Sequence, residues 1–378
     1  MLIHLFYKVV CNTRKYIYAP ETNLIFGLPV FKTKKFQMKN VVVYTLALVI
    51  ATAPLLIIPA CSKSSSSSSD LIGNWKISDY FDGPARSEAV SFSVNDEVFV
   101  GTGLNENKRY DDFWKYSLTT RYWTQVASFG GGVRSSAIAF SINGLGYVGT
   151  GTDANNYHND MWQYNPGTNA WVQKNNFGGT ARIEAVAFVL NSKGYVATGY
   201  DDNFLKDLWQ YDPGTDTWTQ KAGVGGSKRS QATAFVVNNQ AYICSGNNNS
   251  SALNDLQVYD PGTDTWTGKN KLTNVSDESF DDKYTSIVRY NAVSFIMGSK
   301  VYLATGENGS MNTHTWEYDP STDLWTEKTA FSGTARTGAL AFTLSDRGFV
   351  MAGRSGTAAF DNMYEFQPNA DDDDDDNN

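Results

Sequence analysis

Six arginines recur at nearly even spacing through the sequence: Arg86, Arg134, Arg182, Arg229, Arg289 and Arg336. A planar guanidinium can clamp a carboxylate through two parallel hydrogen bonds, so such a set could grip an acidic peptide or an acidic sugar. It could equally recur because a structural unit recurs, and be spent inside that unit. Two residues beyond the first and third of them stand Glu88 and Glu184. In an extended chain each shares a side with its arginine, and the two carboxyls could act as acid and base or as partners in ordinary ion pairs. Beyond these the chemistry thins out. No Ser/His/Asp set, Gly-rich phosphate loop or zinc-ligand spacing is present, so neither a metal nor a cofactor is expected.

The elements that must position these residues are legible as a repeat. Trp75, Trp123, Trp171, Trp218, Trp266 and Trp325 mark a second fixed position, at intervals of 48, 48, 47, 48 and 59. Each arginine opens R-x-x-A-x-[AS]-F, and alternation then puts bulky residues such as Val186 and Phe188 on one face and Ala185 and Ala187 on the other. A short polar turn follows, such as Asn143-Gly144 or Asn238-Asn239, which signals a two-residue hairpin. The second strand carries an aromatic–aliphatic pair and ends at a glycine, as in Tyr195-Val196…Gly199. A third strand carries Trp114, Trp162, Trp209 or Trp316 with Tyr two residues on, and a turn such as Asp212-Pro213-Gly214 leads to a fourth strand holding the marker Trp. A period near 48 with strand patterning points to propeller blades rather than a helical solenoid.

This unit resembles the kelch repeat, as found in galactose-oxidase-like central domains, and the resemblance covers residues 74 to about 367 in six copies. It implies an all-β, six-bladed kelch-type β-propeller with four antiparallel strands per blade. One departure is that the paired glycines usual after the second strand are reduced to one, as in Thr102-Gly103 and Thr198-Gly199. Propellers of this family include copper-radical oxidases, but a copper site needs converging His and Tyr side chains. Here His158 and His314 fall in blades two and five, on opposite sides of the ring, so an oxidase is not expected. The six-bladed group also includes sugar mutarotases, for which Glu88 and Glu184 would be the catalytic alternative. In some kelch modules arginines at this motif position bind acidic peptides, while in others they bond within the blade.

Strand counting predicts the closure. The last unit stops after its third strand, while an unpaired Trp strand, residues 74–81, precedes the first arginine. That N-terminal strand should therefore complete blade six beside the C-terminal strands, removing two exposed edges. Antiparallel order then places the loops between second and third strands, the inter-blade links and the arginines on one face, called upper here. Binding residues on a repeated scaffold sit where loops vary. The candidates are the six arginines, with Arg134, Arg182 and Arg229 central, and an apolar residue in each upper loop, including Tyr110, Tyr157, Phe204 and Phe360. These last either prop the loops or form a stacking rim for sugar or peptide. The interval from Trp266 to Arg289 is 12 residues longer than its equivalents. The added stretch, within 272–288, is either a lid or partner contact at the mouth or a tolerated surface insertion.

The N-terminal region reads differently. Residues 1–37 look like an upstream extension, and 38–60 like a signal peptide: Lys39, an apolar run Val41–Ile58, then Pro59-Ala60-Cys61. This resembles a bacterial lipoprotein signal in which Cys61 becomes the lipidated N-terminus, with 61–73 a Ser-rich tether, 74–369 the propeller and 370–378 an acidic disordered tail. The expected location is the outer membrane or cell surface, or alternatively the periplasm with an inner-membrane anchor. Residues 1–60 hold seven basic residues and one acidic residue, which leaves −14 on the remainder, and Asp371–Asp376 supply six of those charges. Such a surface does not suit nucleic acid. The expected partner is a protein or glycan ligand, held by a non-catalytic binding or scaffold module; a mutarotase or epimerase is the alternative.

Overall fold

The computed structural model describes residues 71–373. The upstream extension, the signal segment, Cys61, all but the last three tether residues and the end of the acidic tail lie outside them.

Five blades are consecutive four-stranded antiparallel sheets. Blade three is typical: Val186–Leu190, Lys193–Ala197, Leu208–Asp212 and Thr217–Lys221 pair in that order. The hairpin between its first two strands turns on Asn191 and Ser192, with φ of 50° and 57°. That left-handed pair matches the twist of the flanking strands. Blade six is assembled from both ends of the chain. Thr337–Leu344, Arg347–Ser355 and Asn362–Gln367 are completed by Asn74–Tyr80, with Trp75 opposite Phe366. First strands of successive blades contact one another around the axis, and those of blades six and one close the ring.

Blade faces fit as knobs against gaps. Phe92, Phe140 and Phe295 each stand where a side chain on Gly146, Gly194 or Gly348 of the next blade would have to be. Six aromatic-rich clusters fill the spaces between blades. On the upper side a belt of backbone bonds ties each blade to the next. The N–H groups of Gly103, Gly151, Gly199, Gly246, Gly306 and Gly353 donate to the carbonyls of Arg134, Arg182, Arg229, Arg289, Arg336 and Arg86. At Gly103 the φ is 89°, and a Cβ would lie 2.7 Å from the Ser87 carbonyl. This is the glycine the belt requires, so the preceding position can be Thr.

The insertion does not form a lid. Leu272, Tyr284 and Ile287 are buried in the cluster containing Trp316 and Trp325 of blade five. The Tyr284 hydroxyl accepts a 2.7 Å bond from the Trp325 N–H. Asp281 caps the same loop, accepting from the backbone of Val275 and Ser276. The segment folds back as part of the wall because it brings its own apolar anchors.

Candidate functional site at the propeller mouth

The arginine side chains do not reach the mouth as ligand groups. All six are at most 1% exposed. Arg182 shows why. Its Nη1 and Nη2 donate to the two carboxylate oxygens of Asp207 at 2.6 and 2.8 Å, Nη1 also to the Thr198 carbonyl and Nε to that of Thr180. Trp209 Nε1 donates to the same Asp207, and the Phe177 ring lies 4.8 Å from the guanidinium carbon. Asp112, Asp160 and Asp255 serve Arg86, Arg134 and Arg229 in the same way. Burial opposes ionisation of Asp112 and Asp255, but the bonds and charge of Arg86 and Arg229 hold both carboxyls below the ordinary range.

In blades five and six His314 and Asn362 occupy the aspartate position. Arg289 is satisfied instead by the carbonyls of Ser286, Thr305 and His314. Arg336 bonds Asn362 Oδ1 and lies against Phe331, Phe360 and Tyr364. Without a carboxylate, burial lowers the pKa of both arginines to about 10. Two of the rim aromatics are likewise taken up internally. Tyr110 stacks on Arg86 at 4.6 Å and Phe360 on Arg336 at 4.2 Å.

What remains open lies two residues after each arginine. Glu88, Ser136, Glu184, Gln231, Asn291 and Gly338 form a ring around the axis, each with φ between 53° and 61°. Their backbones bond in sequence: Ser136 N–H to the Glu88 carbonyl, Glu184 to Ser136, Gln231 to Glu184, Asn291 to Gln231, and Glu88 to Gly338. The left-handed turn leaves the five side chains of this ring, and Gly338, lining an axial cavity of ≈ 190 Å³, whose wall is completed by Ala89, Ala137 and their counterparts. Glu88 and Glu184 are thus brought to one ring, with Ser136 between them. Glu88 accepts from Ser136 Oγ at 2.7 Å, while Glu184 accepts from Ser230 Oγ and Gln231 Nε2. Burial pushes the Glu184 carboxyl up, and the charge of Glu88 adds to that, against the two donors. The ring thus brings two carboxyls to one cavity, with that of Glu184 harder to ionise than in water.

A larger groove, ≈ 580 Å³, opens on the same face between the loops of blades three and four. Tyr200 and Phe204 meet edge to face in it at 5.3 Å, with Asn203, Asn248 and Lys228 among the other walls. Tyr157 closes the upper loop of blade two through a backbone bridge to Thr152. Its phenol pKa is raised by burial and then by Asp202 and Tyr200 of the groove and by Glu184 of the ring.

His158 is tied to Asp153 and His314 to Glu327, each within its own blade, so the two do not converge. No grouping of three or more His, Cys, Asp or Glu able to hold a metal occurs among the described residues. Cys244 is fully buried and burial pushes its thiol up to about 12, so it is no nucleophile. Sequence reasoning missed the aspartate two residues before Trp114, Trp162, Trp209 and Gln257. Its signal was an offset of 25 or 26 residues from the arginine in four of the six copies.

Comparison with known proteins agrees with this architecture. The KLHDC2/KLHL20/DRC7 kelch-repeats domain matches residues 75–225 and the kelch motif matches 228–272. No curated protein matches the sequence. Among solved structures, that of YjhT superposes with a TM-score of 0.62 at 19% identity, covering 75% of this chain and 95% of that one. The chain belongs to the kelch-repeat β-propellers.

Proposed function

We propose that the protein is a binding module whose upper face takes a hydroxyl-rich ligand, a glycan, across the axial ring and the groove between blades three and four. The observation that carries this is that the fold consumes the guanidinia and leaves carboxylates, amides and two aromatic rings facing the open cavities. Such a mixture suits sugar hydroxyls and ring faces. The ≈ 580 Å³ groove falls within the size of small-molecule sites, whereas the axial cavity alone falls below it. Export and lipid attachment at Cys61 belong to the same proposal, since a tethered propeller would present one face to its surroundings. Labelling with a radioactive fatty acid, lost on Cys61→Ser, checks that part.

A second reading rests on the ring. With its carboxyl pushed up, Glu184 could protonate a sugar ring oxygen while Glu88 accepts the hydroxyl proton of the open-chain interconversion, as in a mutarotase. One experiment separates the two. Reducing sugars are incubated with the protein while binding and anomer exchange are followed by NMR. Binding without faster exchange supports the module. Acceleration that disappears in Glu184→Gln replaces it with the enzyme, and absence of both from a broad glycan panel removes the glycan reading.

A further inference from the structure

The groove between blades three and four departs from the repeat at three neighbouring positions. The residue before the arginine is Ala or Val in the other five blades (Ala85, Val133, Ala181, Val288, Ala335), but here it is Lys228. The residue before the arginine's partner position is Asp, Asn or Thr elsewhere (Asp111, Asn159, Asn254, Thr313, Asp361), but here it is Lys206. The residue after the belt glycine is aromatic in this blade alone, as Tyr200. All three line the same ≈ 580 Å³ groove.

Both lysines are exposed, and neither forms an ion pair among the described residues. Their backbones are nonetheless fixed. The Lys206 carbonyl accepts from Val224 N–H at 2.7 Å, and Lys228 precedes the buried Arg229. Two ammonium groups on fixed backbones, with no ion pair among the described residues, call for an anion. The choice of lysine narrows it. A carboxylate is matched best by a guanidinium fork, and the nearby Arg182 and Arg229 are closed off inside their blades. Two point charges lining one groove fit a tetrahedral group with several outward oxygens. In the same groove, Tyr200 and Phe204 offer ring faces and edges, while Asp202, Asn203 and Asn248 offer partners for hydroxyls.

We propose that this groove binds a sugar carrying a sulfate or phosphate ester, with Lys206 and Lys228 on the ester oxygens and the Tyr200–Phe204 pair against the sugar ring. This rests on the upper face being the ligand face and names the chemistry recognised there. The test is saturation-transfer NMR with galactose 6-sulfate and glucose 6-phosphate, beside galactose and glucuronate as neutral and carboxylate controls. The variant is Lys206→Asn with Lys228→Ala, residues that other blades carry at these positions, and its melting temperature is measured alongside. Transfer to either ester is expected from the native protein and at least about tenfold weaker binding from the variant, at unchanged melting temperature. Which ester responds tells the sulfate from the phosphate source. No transfer to either ester, ester binding unaffected by the two substitutions, or glucuronate bound as well as the esters would each overturn the proposal. Binding of galactose that ignores the lysines would overturn it too, while leaving the glycan-module reading standing.

Discussion

Replacing Asp207 by Ala is the sharpest test of what the arginine ring is for. The substitution strips Arg182 of both carboxylate contacts and Trp209 of its indole acceptor, leaving the guanidinium with Thr198, Thr180 and the face of Phe177. Removing one partner of a buried pair costs about 3–5 kcal/mol, chiefly because the other charge stays buried and unpaired. The Asp207 side chain is 21% exposed, so some water can reach the site and the low end, about 3 kcal/mol, applies. For a propeller of roughly 300 residues, an unfolding entropy of about 2.1 cal/mol/K per residue turns this into a fall of about 5 °C in Tm. Asp207→Asn should cost only about 1–2 kcal/mol, since an amide oxygen still accepts one charged hydrogen bond. Blade six is built that way, with Asn362 on Arg336. Differential scanning fluorimetry together with urea titration reads all of this. If Asp207→Ala melted within about 1 °C of the native protein yet lost its ligand, the guanidinium would be acting on ligand and the structural assignment would fail.

Other consequences follow from the same contacts. Asn362→Asp should raise stability by about 1–2 kcal/mol in urea titration, because it offers Arg336 Nη2, left without an acceptor, a second oxygen. Tyr284→Ala should cost about 3 kcal/mol without changing binding at the mouth, since the insertion is wall and not lid; loss of binding at full stability would reverse that. Acid should destabilise through Asp112 and Asp255, whose folded pKa values lie below the unfolded value of 3.8. Their contribution is complete above that value and drains away as pH falls through the folded ones. A urea midpoint that held constant from pH 5 to pH 2 would contradict the pairing. Glu184 works in the opposite sense, so Glu184→Gln should leave neutral-pH stability equal or higher.

The architecture was legible because it is written six times. Alternating bulky and small residues, the Asn-rich hairpin turns and the unpaired Trp75 strand each have a local physical meaning that needs no coordinates. The pairing of Trp75 with Phe366 followed from counting. The site was less legible for two different reasons. Whether the arginines grip a ligand or are spent within the blade stayed open because their partners sit 25 or 26 residues later, at the end of loops read as variable; the aspartate's nearly constant offset was visible but unused. In the insertion, the burial of Leu272, Tyr284 and Ile287 depends on packing against Trp316 and Trp325 of blade five, which no local pattern describes.

Uniformity and departure carry different information in a ring of this kind. A residue present in every blade answers a demand made by every blade, and the six buried arginines, bonded within their sheets and belted through their carbonyls, fit that description. A departure is more informative, but only if nothing inside the protein absorbs it. His314 and Asn362 depart from the aspartate position, yet backbone carbonyls and aromatic rings make up the loss, so those sites are closed. Lys206 and Lys228 depart and are not absorbed. Their charges stand in a groove where neither forms an ion pair among the described residues, although Asp202 lines the same groove. Glu184 is an intermediate case, partly satisfied by Ser230 and Gln231 and still unfavourable as a buried anion. Ranked by unanswered charge, then, the groove comes first and the axial ring second, and the arginine ring drops out.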